Sequence, residues 1–431
     1  MISNLKFVIK NNDLLKSSFR VGLVSLFSNS ISFLIPIYIA YEYSVSKQTD
    51  VFFLSFNIIV FLGTIFSGAV RSVSIPYIKE RLVSRLELQS FISSVMRYIS
   101  RFLACFLGLV AIVCYWLFAS TNDDLYLYLL LSLPIAFLTV VNAFCYGILN
   151  SFDQFYLAEL SPVFRAIVII VTVFFFSNTF GIISVIIGYN LGELAKFFHL
   201  FLVIKIKNKL NIFSRTFIST DISSFLRQGA YQVFSVSLAA SSPLIDRAVA
   251  SFLIVGSISL IDYGDRIFVV FNVLLNSFLI ILTSKWAKEV LEKKFSLLRF
   301  KQILLVLFGI TFSLAVIIYF SKSLIIDVLY SKLTESEKET VAIILFLNTF
   351  GFIFSSVNQA IHRASMAIKS TDIMVITAVI KVVLNIVLNV ILAAYWGVIG
   401  IIVSTVIVHL VGLIVNYFLF IRRFNKVNLI Q

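Results

Sequence analysis

The chain has 431 residues, of which 60% are hydrophobic and 13% charged, with a mean hydropathy of +1.02 and a formal net charge of +14. Soluble domains carry about 25% charged residues, so the composition excludes a soluble fold. Of the 35 lysines and arginines, 25 fall on one set of alternate connections and 4 on the other, which excludes nucleic acid as the partner and reads as a topology signal.

A bilayer-crossing helix needs roughly 20 apolar residues. On that measure the sequence predicts an all-α polytopic membrane protein with about twelve transmembrane helices. The spans are 19–42, 51–78, 95–118, 124–149, 158–177, 181–204, 224–252, 257–284, 302–320, 341–362, 373–394 and 398–421. The first 18 residues are polar and lysine-bearing, so no cleavable signal is expected. The lysine and arginine excess puts both termini in the cytoplasm, beside anionic headgroups.

Span 1 carries Arg20, Gly22, Phe27, Ser28, Ser30 and Pro36. Span 7 repeats the pattern at identical spacing, 207 positions later, as Arg227, Gly229, Phe234, Ser235, Ser237 and Pro243. Two parallel copies of one six-helix unit are therefore expected: an N-terminal lobe over 1–204, a basic cytoplasmic linker over 205–223 and a C-terminal lobe over 224–431. Parallel repeats of this kind build alternating-access transporters. Proline inside a helix frees a carbonyl and kinks the axis, so Pro36 and Pro243 are candidate hinges, with static kinks as the other reading.

Charged residues inside spans are costly in lipid and are functional candidates by default. In span 2, Arg71 could grip a phosphate or snorkel to the headgroups. Glu159 and Arg165 open span 5 and read as interfacial. Glu193 and Lys196 are three apart in span 6 and read as a mutual pair. Asp246 and Arg247 in span 7, with Asp262, Asp265 and Arg266 in span 8, form a mixed-charge cluster. It could meet a diphosphate, a sugar or a cation, or could simply hold the two helices together. Lys381 in span 11 has no local acidic partner and is expected to face a cavity or a carboxylate from another helix. Asn385 and Asn389 follow on its face, and Thr405 in span 12 could approach them. With Asp246 these supply oxygens of the kind a hard cation needs.

The remaining special residues are quiet. Cys105, Cys114 and Cys145 lie in apolar spans and read as packing. His199, His362 and His409 lack ligand spacing, so no further metal site is expected. Trp116, Trp286 and Trp396 sit at span ends as interfacial anchors. There is no P-loop, nucleophile elbow or zinc-helix pattern, so neither an enzyme nor a cofactor is expected. The drive is expected to be a gradient, with sodium or a proton as coupling ion.

Three runs resemble a known family. Thr49-Asp50-Val-Phe-Phe-Leu-Ser-Phe with Ser67-Gly68-Ala69 and Ile75-Pro76 is similar to the helix 1–2 region of MviN-type lipid II flippases. Ile245-Asp246-Arg247 through Tyr263-Gly-Asp265-Arg266 resembles their helix 7–8 region. Val383-Leu-Asn385 to Asn389, with Gly397-Val-Ile-Gly400 and Ser404-Thr405, resembles their helix 11–12 region. The resemblance extends to the wider multidrug/oligosaccharidyl-lipid/polysaccharide exporter superfamily and implies its V-shaped two-lobe architecture. It implies that Asp265 and Arg266 line the cavity. It also implies that Asp246, Asn385, Asn389, Thr405 and the Ile401 carbonyl form a sodium site.

Two departures shape the functional expectation. The stretches Ser28-Asn29-Ser30-Ile31 and Leu62-Gly63-Thr64-Ile65 carry no arginine where those flippases carry several, and twelve spans are fewer than the usual number. The sequence is therefore expected to encode a flippase for undecaprenyl-diphosphate-linked O-antigen or capsule repeat units in the bacterial inner membrane. Arg266, Asp265, Lys381, Arg71, Asp262 and Arg247 are its candidate substrate contacts. Its partners would be membrane lipids, a polysaccharide polymerase and a chain-length regulator. The alternatives are lipid II export, ion-coupled drug efflux and a membrane polymerase. The polymerase reading suffers because the longest outer loop, 321–340, has no Arg or His.

Overall fold

The computed structural model describes residues 33–214, 222–368, 370 and 372–430. Arg20, Gly22, Phe27, Ser28 and Ser30 lie outside the described residues, so the repeat can be followed there only from Pro36 onward. Every secondary-structure element among the described residues is a helix. They are α1 (33–43), α2 (Lys47–Glu80), α3 (Arg85–Thr121), α4 (Asp124–Ser151), α5 (Phe155–Phe180), α6 (Ile183–Lys207), α7 (Ser223–Ala250), α8 (Ser257–Leu291), α9 (Leu297–Leu329) and α10 (Glu335–Ala367). The last segment, Asp372–Ile430, breaks at Gly397 into α11 (372–396) and α12 (398–430). Nine of the described helices are long and apolar enough to cross a membrane, the last counted as one segment. The chain is a multi-pass membrane protein.

The helices overrun the predicted spans because polar first turns are capped and extend beyond the apolar core. Ser84 and Ser296 accept from the amides of Glu87 and Arg299, and Thr334 with Glu337 forms a reciprocal capping box. That box opens α10 at Glu335, so the expected outer loop 321–340 shrinks to residues 330–334. All five prolines lie inside helices, at 36, 76, 134, 162 and 243.

By contact the described chain divides into two units. One takes residues 33–35 and Leu54–Ala240; the other takes Pro36–Phe53 and the residues from Ser241 onward. The first has a core of Phe91, Ile92, Met96, Phe144, Ile148 and Leu200. There Gly188 and Gly192 let α6 approach α5, since a Cβ at Gly192 would sit 2.8 Å from the Arg165 carbonyl oxygen. The second unit has an aromatic core in which Trp286 packs on Phe300, and Phe300 on Phe420, at ring separations of 5.6 and 4.8 Å. Trp286 is therefore buried, contrary to the anchor expected from its position, while Trp116 and Trp396 are exposed. Cys114 and Cys145 are buried and Cys105 is exposed.

The two halves repeat in backbone as well as in sequence. Gly181 joins α5 to α6 at φ 56° and ψ −137°, and Gly397 joins α11 to α12 at φ 55° and ψ −134°. An L side chain is strained at that positive φ, so both joints need glycine. Gly397 stands 216 positions after Gly181, and the same offset brings the end of α4 onto that of α10, α5 onto α11 and the start of α6 onto that of α12, each to within one residue.

Candidate functional site

Two polar clusters occupy the second unit. The first is centred on Asp246, a carboxylate 5% exposed in α7. Its Oδ1 accepts from Asn385 Nδ2 at 3.0 Å and Asn389 Nδ2 at 2.7 Å; its Oδ2 accepts from Thr405 Oγ1 at 3.1 Å. The 385/389 spacing puts both amides one turn apart on α11, as the sequence requires. The Ile401 carbonyl lies 3.2 Å from the Thr405 hydroxyl, which has one proton to share between it and Asp246.

These residues suit a hard monovalent cation. Asn385 Oδ1 and Asn389 Oδ1 are buried and have no hydrogen-bond partner. Buried amide oxygens are ordinarily paired, so two orphans beside one carboxylate mark an incomplete shell. An amide flip turns both oxygens toward Asp246, where carboxylate, amide, hydroxyl and carbonyl oxygens would surround the ion. The predicted cation residues are thus brought together. No cluster of three or more His, Cys, Asp or Glu able to hold a metal occurs among the described residues.

The second cluster joins α7 to α8. Arg247 bonds Asp265 and lies 3.4 Å from Asp262; Arg266 also reaches Asp262 at 3.4 Å. Asn348 of α10, which the sequence analysis did not single out, donates to Asp265 at 2.7 Å. Two arginines face two aspartates, so the cluster is charge-balanced. The Arg247 and Asp262 side chains are 5% and 3% exposed and form its buried floor, whereas Asp265 and Arg266 keep 34% and 26% of their surface. A buried ion pair specifies geometry more than it adds stability. Here it fixes the orientation of the two exposed members.

The other candidates lie elsewhere. Arg71 belongs to the first unit, over the Tyr146 ring at 4.8 Å and 3.9 Å from Glu159. Lys381 has a partner the sequence analysis did not name: its Nζ lies 3.3 Å from His409 Nδ1. Gly412 on α12 explains this, because the absence of a side chain there lets the lysine stem lie against that helix. In the first unit Glu193 pairs with Lys196 at 3.5 Å, as the spacing implied. Arg165, read as interfacial, instead pairs with the buried Glu193 at 2.9 Å.

A further feature of the second unit escaped the sequence analysis. Asp50 accepts from the backbone amides of Gly256 and Ser259 and from the Ser259 hydroxyl, capping the start of α8. Tyr263 donates to the Ser44 carbonyl at 2.8 Å. The Thr49-Asp50 run and the run from Ile245 through Arg266, quoted separately above, are thereby joined by hydrogen bonds.

Comparison with known proteins adds the family. The family model "Lipid II flippase MurJ" matches residues 39–430. A curated relative from Buchnera aphidicola subsp. Baizongia pistaciae, named "Probable lipid II flippase MurJ", is 28% identical over 73% of this chain and 65% of its own length. "Lipid II flippase MurJ" of Thermosipho africanus is 29% identical over 43% of this chain and 40% of its own. The chain thus spans at most about two thirds of these relatives. A solved structure of lipid II flippase MurJ in an inward closed conformation matches at TM-score 0.80 and 26% identity, covering 92% of this chain and 86% of that one. An inward-facing multidrug resistance MATE family transporter of the MOP superfamily matches at TM-score 0.72 and 16% identity over 95% of each, and shares the fold.

These matches overturn the expected assignment to O-antigen or capsule repeat units. With it go the expected polymerase and chain-length-regulator partners. The expectation gave too much weight to missing arginines in the first two helices. Residues 28–31 lie outside the described residues, and a Cβ at Gly63 would stand 3.4 Å from the Thr139 side chain, so that position faces a neighbouring helix.

Proposed function

This chain belongs to the lipid II flippase MurJ family, and from that premise we propose that it moves lipid II across the bacterial cytoplasmic membrane by alternating access, with both termini cytoplasmic. The observation that carries this reading is the family match over residues 39–430, which includes the Asp246, Arg247, Asp265 and Arg266 constellation. A diphosphate cannot enter hydrocarbon without compensation of its charge. Arg266 offers a partly exposed guanidinium suited to phosphate oxygens, and Asp265 beside it offers an acceptor for sugar hydroxyls. Arg247 and Asp262 position both. Asp246, Asn385, Asn389, Thr405 and the Ile401 carbonyl would hold sodium, which when bound supplies a positive charge that ties α7 to α11 and α12. Bending near Pro36 and Pro243 would switch access.

The test is mass spectrometry of undecaprenyl-linked intermediates in cells depleted of this protein and complemented with wild type or Arg266→Ala. The peptide-bearing disaccharide should accumulate on depletion, clear with wild type, and persist with Arg266→Ala at equal protein level. Accumulation of peptide-free sugar units instead would overturn the reading.

A further inference from the structure

The offset of 216 residues places three polar side chains of the first half on three of the second. Tyr146, Arg165 and Glu193 stand where His362, Lys381 and His409 stand. In the first half the cations meet an acid. Arg165 pairs with Glu193 at 2.9 Å, Lys196 at 3.5 Å, and Asn142 donates to the same carboxylate at 2.8 Å. In the second half the acid is replaced by histidine, and Lys196 by Gly412. Six of the 35 lysines and arginines fall on neither set of connections. Arg71, Arg165, Lys196, Arg247 and Arg266 each sit within 4 Å of a carboxylate. Lys381 alone, among the described residues, has an imidazole as its recorded partner.

That exchange changes what the position can do. An ammonium only donates, whereas a neutral imidazole has one donor and one acceptor nitrogen and a charged one has two donors. The 3.3 Å contact between Lys381 Nζ and His409 Nδ1 therefore requires one of the two groups to be uncharged. A second proton sets donor against donor and breaks the link between α11 and α12. The arginine–glutamate pair has no such alternative. Nearby, His362 Nε2 is buried with no hydrogen-bond partner. The charges facing these groups are Arg363 from α10 and Asp246 from α7. Lys381 also shares one face of α11 with Asn385 and Asn389, one and two turns on. Positive charge gained there opposes positive charge at Asp246.

We propose that Lys381, His409 and His362 form a proton-binding site in the second half of the chain, linked negatively to cation binding at Asp246, so that cation uptake releases a proton to water. The proposal rests on the reading of Asp246 as a cation site.

The test is sodium titration of the full-length protein in lipid nanodiscs. A pH indicator in weak buffer reports protons released, and calorimetry reports sodium binding at pH 6 and pH 8. Wild type should release up to one proton per sodium, and its sodium Kd should weaken by up to tenfold per pH unit on acidification. Lys381→Arg combined with His409→Glu installs the first half's pair and should bind sodium with no proton release and a pH-independent Kd. His409→Gln keeps an acceptor for the ammonium and should lose most of the release. Wild-type release persisting in both variants would assign the proton to Asp246 itself and overturn the proposal, as would sodium binding by wild type without release. Absence of sodium binding in wild type would overturn the cation reading, and the linkage with it.

Discussion

Asp246→Asn tests the cation site most directly, because it removes one charge while keeping the shape of the side chain. The carboxylate sits among oxygens that would contact the ion directly, at the 2.3–2.6 Å typical of hard-cation ligation. At an effective dielectric of 20, a unit charge at about 2.4 Å contributes on the order of 7 kcal/mol. Much of this is offset by the carboxylate's own burial and by the three donors now satisfying it. If about 3 kcal/mol survives, sodium affinity falls roughly a hundredfold. A ligand at a hundred times its Kd stabilises the folded protein by about 2.7 kcal/mol. At the same sodium concentration the variant, now near its Kd, should gain only about 0.4 kcal/mol. The assay is thermal unfolding in detergent across a sodium series, with choline at equal ionic strength as control. Equal stabilisation of wild type by sodium and choline, or full sodium stabilisation in the variant, would refute the reasoning.

Glu193→Ala leaves Arg165 and Lys196 with no carboxylate in a buried setting. Removing one partner of such a network costs about 3–5 kcal/mol, so the variant should unfold at markedly lower denaturant, and a loss under 1 kcal/mol would contradict the network's role. Asp50→Ala removes the cap of α8, a loss of about 0.5–2 kcal/mol that hydrogen exchange should register as reduced protection at the Gly256 and Ser259 amides. Unchanged exchange there would count against the cap. Gly397→Ala forces an L side chain into φ 55°, ψ −134° and should cost about 1–3 kcal/mol in thermal unfolding, with Gly181→Ala behaving alike.

Much of the architecture is legible in the sequence because a bilayer imposes one length and one polarity on every crossing segment. The α11–α12 joint, for instance, falls between the predicted spans 373–394 and 398–421, and Gly397 is the residue that allows it. The Asp246 cluster is legible for a similar reason: Asn385 and Asn389 are four apart on one helix, and an intramembrane aspartate needs polar company. Asn348 is not legible, since nothing in its own helix distinguishes it from a packing asparagine. Lys381 and His409 are 28 positions apart on different helices, so their pairing depends on how α11 and α12 meet. Gly412, whose missing side chain makes room, is a cue only in hindsight of that packing. Trp286 misleads because the end of an apolar run looks alike whether the next turn meets headgroups or Phe300.

The repeat also explains why one half carries the chemistry. At the offset of 216, the positions of Asn385, Asn389, Ile401 and Thr405 are held in the first half by Ile169, Val173, Val185 and Tyr189. The 207-residue offset of the first helices sets Asp246 against Ile39. Ile39, Ile169, Val173 and Val185 are all buried. The same helical joints therefore support a mainly apolar packing in one copy and a buried polar cluster around Asp246 in the other. Each copy is locally self-consistent, but a mixed one would not be. An aspartate at Ile39 would lack the amides that satisfy Asp246, and an apolar residue at 246 would strand Asn385 and Asn389 without their acceptor. The four side chains must change together, since the Ile401 carbonyl belongs to the backbone and is offered by any residue there, so the first half's described residues at these positions cannot acquire the Asp246 cluster one substitution at a time.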